Sequence, residues 1–101
     1  MITRIVKLKF QEQYISKFKH FANEIESTIK SHEGCVSLEL LQDTSDLSIF
    51  FTYSKWNSED DLNNYRKSDF FRNIWPQTKE WFSAKPEAWS VNSIAKENEQ
   101  Y

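Results

Sequence analysis

Cysteine and histidine are scarce in this chain, and each shortage removes a class of chemistry. Cys35 is the only cysteine among 101 residues, so neither an intrachain disulfide nor a cysteine-based zinc site is expected. The histidines are His20, on the polar side of a helical pattern, and His32, in that pattern's last turn, where the helix dipole favours a cation. Neither has acidic or cysteinyl neighbours of the kind a metal needs, so no metal site is expected. No apolar run approaches the roughly 20 residues that span a bilayer, so no membrane partner is expected. Thirteen basic and fifteen acidic residues are interspersed to a net charge of −2, which leaves no basic stripe for nucleic acid. No charged and apolar leader precedes the strand-like segment that Met1 opens, so the expected location is cytoplasmic.

Aromatic residues, by contrast, make up 16% of the chain. That is more ring area than one small domain readily hides, and it points to an oligomer interface or a ligand cavity. "ITRIVKLKF" alternates with period two, placing Ile2, Arg4, Val6, Leu8 and Phe10 on one face and Lys7 and Lys9 on the other, which predicts a strand. Apolar residues from Tyr14 to Ile29 then recur at steps of three and four, predicting a helix over about Glu12 to His32. Gly34, the only glycine, is placed for a left-handed helix cap. Cys35–Gln42 and Leu47–Trp56 read as a hairpin joined by the polar turn "DTSD". Ser58 is positioned to cap a short helix through Lys67, with Glu59, Asp60 and Asp61 as first-turn acids rather than a metal cluster. Ser68 could cap a further helix over Phe70–Phe82, bent or restarted at Pro76. Glu87–Ala95 reads as the last strand.

The order β-α-β-β-α-β predicts a ferredoxin-like α+β domain over residues 1–95, with a four-stranded antiparallel sheet and both helices on one face. Residues 96–101 read as a solvated tail. Strand three is apolar on both sides: Phe50 and Trp56 lie with Thr52 and Ser54, while Leu47, Ile49, Phe51 and Tyr53 lie opposite. Helices can cover only one side, and monomers seldom expose such a patch, so a homodimer packed sheet to sheet is expected. Lys7 and Lys9 share that second face, where Glu39 is one candidate partner and a wet rim the alternative.

Three segments, "EGCVSLELLQD", "FFTYSKWNSEDDLNNYRKSDFF" and "KPEAWSV", carry a resemblance over about Ile2 to Ile94. In them the chain resembles the antibiotic biosynthesis monooxygenase family, within the dimeric α+β barrel superfamily. The resemblance implies a dimeric barrel and a choice among chemistries. Relatives that degrade haem keep a tryptophan and an iron-ligating histidine where this chain has Tyr65 and Trp75. An indole has no lone pair for iron, so haem is not expected as a partner. Relatives that oxygenate phenols with O2 and no cofactor keep an asparagine and a tryptophan where this chain has Thr52 and Trp56, and a tyrosine where it has Leu62. Trp56 fits that pattern; Thr52 and Leu62 depart from it.

The expectation is a cofactor-free monooxygenase acting on a small aromatic or quinol-like molecule, with Trp56 and Tyr65 as catalytic candidates. Thr52, Phe71, Trp75 and Arg4 are the substrate-binding candidates, with Arg66, Arg72 and Tyr53 as further polar groups. Tyr65 could serve as a base only with a pKa well below its usual value near 10. The alternative is a non-catalytic dimeric barrel that binds a small apolar ligand or acts in stress response. An isomerase or lyase would need a histidine or carboxylate in the pocket.

Overall fold

The computed structural model of the chain describes residues 1–94. The expected tail over residues 96–101, and the last residue of the expected final strand, lie outside that range. β1 (Ile2–Lys9) is followed by a 3-10 turn (Glu12–Tyr14) and α1 (Ile15–Lys30). β2 (Cys35–Gln42) and β3 (Ile49–Trp56) form the hairpin. α2 (Glu59–Lys67), α3 (Asp69–Lys79) and β4 (Glu87–Val91) complete the domain. The sheet has four strands in the order β2-β3-β1-β4, all antiparallel. This is the ferredoxin-like α+β fold that the element order predicts.

Register follows the period-two pattern of the sequence. Arg4, Val6 and Leu8 of β1 lie opposite Ser54, Thr52 and Phe50 of β3, all on the helix-covered face. Ile5, Lys7 and Lys9 lie opposite Tyr53, Phe51 and Ile49 on the other face. There the lysines find carboxylates, but Glu39 is not among them. Lys7 pairs with Glu87 at 3.7 Å and Lys9 with Asp46 at 3.5 Å. Glu87 sits directly across the β1–β4 ladder from Lys7, whereas Glu39 lies two strands away, opposite Tyr53.

Several element ends differ from the sequence expectation, each for a local reason. α1 stops at Lys30, and the Ser31 hydroxyl donates to the Thr28 carbonyl at 2.6 Å. Gly34 therefore falls too late to cap α1. Its positive φ of 83° serves instead to turn the chain into β2. Its backbone also lies against the Asp61 side chain, where a Cβ would collide, and its carbonyl accepts from the Asn57 amide at 2.8 Å. The one glycine thus seats the start of α2 on the β2 entry.

The break in the second helical region is at Ser68, whose hydroxyl caps α3 by accepting from the Phe71 amide at 3.2 Å. α3 runs through Pro76 and ends at Lys79, so Trp81 and Phe82 are not helical. Phe82 instead bridges to Phe10, and the Gln11 amide donates to the Trp81 carbonyl.

The solid part of the core gathers Leu8, Phe10, Phe18, Ala22, Phe50 and Trp81. Phe10 is 1% exposed, stacks on Phe18 at 4.2 Å and meets Phe50 and Phe82 edge-on at 5.7 and 5.2 Å. Three other phenylalanine rings surround this one, which favours close packing.

Candidate functional site

A second group of rings lies toward the other end of the helix–sheet interface, and it is built around space. A cavity of about 400 Å³ lies between the sheet and the three helices. That volume is toward the lower end of the range of roughly 300–1,000 Å³ usual for small-molecule sites. β1 and β3 supply the floor, α1 one wall, and α2 and α3 the other.

The sequence candidates Arg4, Thr52, Trp56, Tyr65, Phe71 and Trp75 all line this cavity. Trp75 stands in its wall and does not fill it. It stacks on Phe71 at 5.6 Å with planes 14° apart and meets Phe82 edge-on at 5.8 Å. That last contact joins the hollow ring group to the solid one. Tyr65 stacks on Trp56 at 5.1 Å and takes Phe71 against its edge at 5.2 Å. Its other edge meets His32 at 4.9 Å. His32 does not line the cavity, and its Nδ1 lies 2.9 Å from the Thr28 carbonyl. His20 is exposed on α1 and pairs with Glu24 at 3.0 Å. Among the described residues no group of three or more His, Cys, Asp or Glu is arranged to hold a metal.

Trp56 is 1% exposed, and its Nε1–H donates to the Ser54 hydroxyl at 3.0 Å. A buried indole N–H needs such a partner, and Ser54, two residues earlier on the same strand face, is spaced to provide it. The sequence reading placed Ser54 on that face and gave it no role. The consequence is that the Trp56 donor is engaged within the protein, so Trp56 contributes a ring wall.

Tyr65 does not fit the role of a base. Burial, helped by the nearby Cys35 thiol when ionised, pushes its phenol far above the ordinary tyrosine value. It is a neutral donor. Its hydroxyl bonds no described residue, and no sealed polar side-chain atom is left unpaired, so the hydroxyl is not sealed off and remains available as a donor. Thr52 offers a second hydroxyl without a hydrogen-bond partner among the described residues.

Arg4 and Arg66 are the charged groups of the lining. Arg4 reaches across to β4, where its Nη1 donates to the Ser90 hydroxyl at 2.9 Å. Burial first, and then the positive charge of Arg66, lower its pKa from the usual arginine value. Arg72 and Tyr53, the other polar candidates, do not line the cavity. The lining contains no carboxylate and no imidazole among the described residues.

Fold and site together define a small ferredoxin-like α+β domain that encloses an aromatic-walled, hydroxyl-bearing cavity between its sheet and helices. The profile of the family described as antibiotic biosynthesis monooxygenase matches residues 1–76, and the chain belongs to that family. Solved structures agree on the fold. An antibiotic biosynthesis monooxygenase superposes with a TM-score of 0.88 at 14% identity, covering 94% of this chain and 100% of its own. The Rv0793 protein of Mycobacterium tuberculosis gives 0.86 at 13% identity, covering 96% of this chain and 98% of its own. A conserved protein of Methanosarcina mazei Go1 gives 0.83 at 21% identity, covering 90% of this chain and 91% of its own. No curated protein matches the chain.

Proposed function

We propose that the chain is a monooxygenase that uses O2 without a bound cofactor to convert a small phenolic aromatic into a quinone. The observation that carries this reading is the pairing of ring walls with unengaged hydroxyl donors in one cavity, at Tyr65 and Thr52. Family membership supports the class of reaction.

With no carboxylate or imidazole in the lining, the substrate must be acidic enough to lose its phenolic proton to water. The hydroxyls of Tyr65 and Thr52 then donate to the phenolate oxygen, in surroundings where such bonds count for more than in water. The electron-rich ring passes one electron to O2, giving a ring radical and superoxide. These combine at the carbon para to the oxygen, forming a C–O bond. The resulting peroxide loses water as its O–O bond and the C–H bond on that carbon break. The sum is phenol plus O2 giving quinone plus water, with one oxygen atom in each product. The apolar walls exclude bulk water from the reactive pair.

The working form in this reading is a homodimer. Leu41, Trp89 and Val91 are exposed on the sheet face away from the helices, where Ile5, Ile49, Phe51 and Tyr53 are half-buried. Lys7 and Lys9 of that face already hold carboxylates of the same chain, while Lys55 lies over the Tyr53 ring at 5.8 Å and would need a carboxylate from the second copy or a wet rim. A two-fold axis would bring the same patch of each copy together.

Oxygen uptake with a panel of 1-naphthols and anthrones, which carry a C–H bond para to the oxygen, tests the reaction. Turnover is expected for at least one phenolic ring. Tyr65→Phe and Thr52→Val should each lower kcat by about tenfold to a hundredfold, in line with loss of one oxyanion donor. Binding of these rings without oxygen uptake would favour the non-catalytic reading, in which the same cavity serves as a ligand store.

A further inference from the structure

Two guanidinium groups border one mostly apolar cavity, and neither has an anionic partner among the described residues. Arg4 comes from β1 and Arg66 from α2, and both line the space. The ion pairs of the described residues are Lys7–Glu87, Lys9–Asp46, His20–Glu24 and Lys30–Glu26, so Arg4 and Arg66 have no carboxylate among them. The single hydrogen bond of the Arg4 side chain goes to a neutral hydroxyl, that of Ser90.

Arg4 is half-buried and Arg66 exposed, and an anion bound between two like charges at the edge of an apolar space relieves their mutual repulsion. Burial first, and then the charge of Arg66, lower the Arg4 pKa from the usual arginine value. The lining supplies no negative group of its own. A planar guanidinium matches two carboxylate oxygens in a forked contact, which lysine cannot reproduce.

We infer that the natural ligand is an aromatic acid: its ring lies among Trp56, Tyr65, Phe71 and Trp75, and its carboxylate is held by Arg4 and Arg66. This rests on the aromatic-site reading above and adds the substituent that the substrate must carry. The phenolic hydroxyl meets Tyr65 and Thr52, and the carboxylate sits on the guanidinium side. Arg4 and Arg66 are here positioning residues for the ring.

The matched probes 6-hydroxy-2-naphthoate and 2-naphthol, titrated calorimetrically, separate the two readings. The acid is expected to bind about tenfold or more tightly than the neutral ring, as for hydrogen bonds to a charged group. Arg4→Gln and Arg66→Gln should each lower affinity for the acid by a larger factor than affinity for 2-naphthol, removing most of that preference. Lys67→Gln, which removes a neighbouring exposed charge outside the cavity, should keep it. In the unaltered protein, added salt should weaken the acid and spare 2-naphthol. Equal affinities for the two probes, or equal response to salt, would overturn the carboxylate assignment while the aromatic site stands. Failure of both probes to bind would overturn the aromatic site and this inference with it.

Discussion

The Phe10 and Trp56 ends of the helix–sheet interface are both built of large rings, yet one is solid and the other hollow. Around Phe10 the rings converge on one another, with Phe18, Phe50 and Phe82 on three sides. Around Trp56 they line up as Tyr65, Phe71 and Trp75, each touching the next along the edge of a cavity of about 400 Å³. The difference lies in what faces the rings. At the solid end Trp81, held by the Gln11 amide through its carbonyl, packs with Tyr14 and Phe21. At the hollow end the lining mixes short side chains, Thr52, Ser54 and Ala88, with larger ones such as Ile29, Leu38 and Ile74, and the rings do not close over the space between them. Ring content alone therefore does not distinguish core from pocket; whether the rings converge on one another or line up side by side does.

The largest expected effect separates the two ends by truncation. Phe10→Ala should cost about 3–5 kcal/mol, as is usual for a fully buried ring, and so threatens folding in a domain of ordinary stability. Trp75→Ala, at a half-buried ring with open space on one side, should cost about 1–2 kcal/mol. Urea unfolding measures both, and equal losses would erase the distinction between solid and hollow.

A smaller loss is expected at Ser54→Ala, which strands the buried Trp56 N–H. Leaving such a donor unpaired costs about 1–3 kcal/mol. Ligand affinity should change less than stability, because Ser54 acts through the Trp56 ring. A variant as stable as the parent would mean that the indole finds another acceptor.

The Tyr65 phenol gives a pH test confined to the hollow end. Its folded-state pKa is raised, so the folded chain holds this proton more tightly than the unfolded one. The contribution is fully present below the unfolded tyrosine value near 10 and is lost progressively as pH rises above it. Tyr65→Phe should therefore lose less stability than the parent between pH 9 and pH 11, measured by urea midpoints. Parallel losses in both proteins would place Tyr65 in water.

The smallest effect belongs to the outer face. Lys9→Met breaks a half-exposed pair with Asp46 and should change stability by less than about 1 kcal/mol. The same change should leave the oligomeric state, read by light scattering, unchanged.

How much of this was legible beforehand depended on distance along the chain. Period two in Ile2–Phe10 and Leu47–Trp56, with the three–four spacing between them, carried the fold because each pattern is local. It also brought Thr52 and Trp56 to one face. The end of α3 was misplaced because Trp81 and Phe82 continue an apolar pattern after the helix has stopped. Their rings are claimed by Phe10, Phe21 and Trp75, not by a further helical turn. The Ser54 role was within reach of the sequence, since i and i+2 share a strand face. The proximity of Arg4 to Arg66 was not, because it depends on how α2 lies over the sheet. The direction of the Tyr65 shift likewise depends on burial that no local pattern encodes.

The central claim is that the hollow ring end is a chamber where O2 meets an ionised phenol. The most direct test is turnover of a naphthol under ¹⁸O2 with mass analysis of the product. One labelled oxygen in the quinone and the other in water is the expected result, with turnover falling sharply in Tyr65→Phe. A product oxygen drawn from solvent, or quinone formation no faster than in buffer alone, would contradict it.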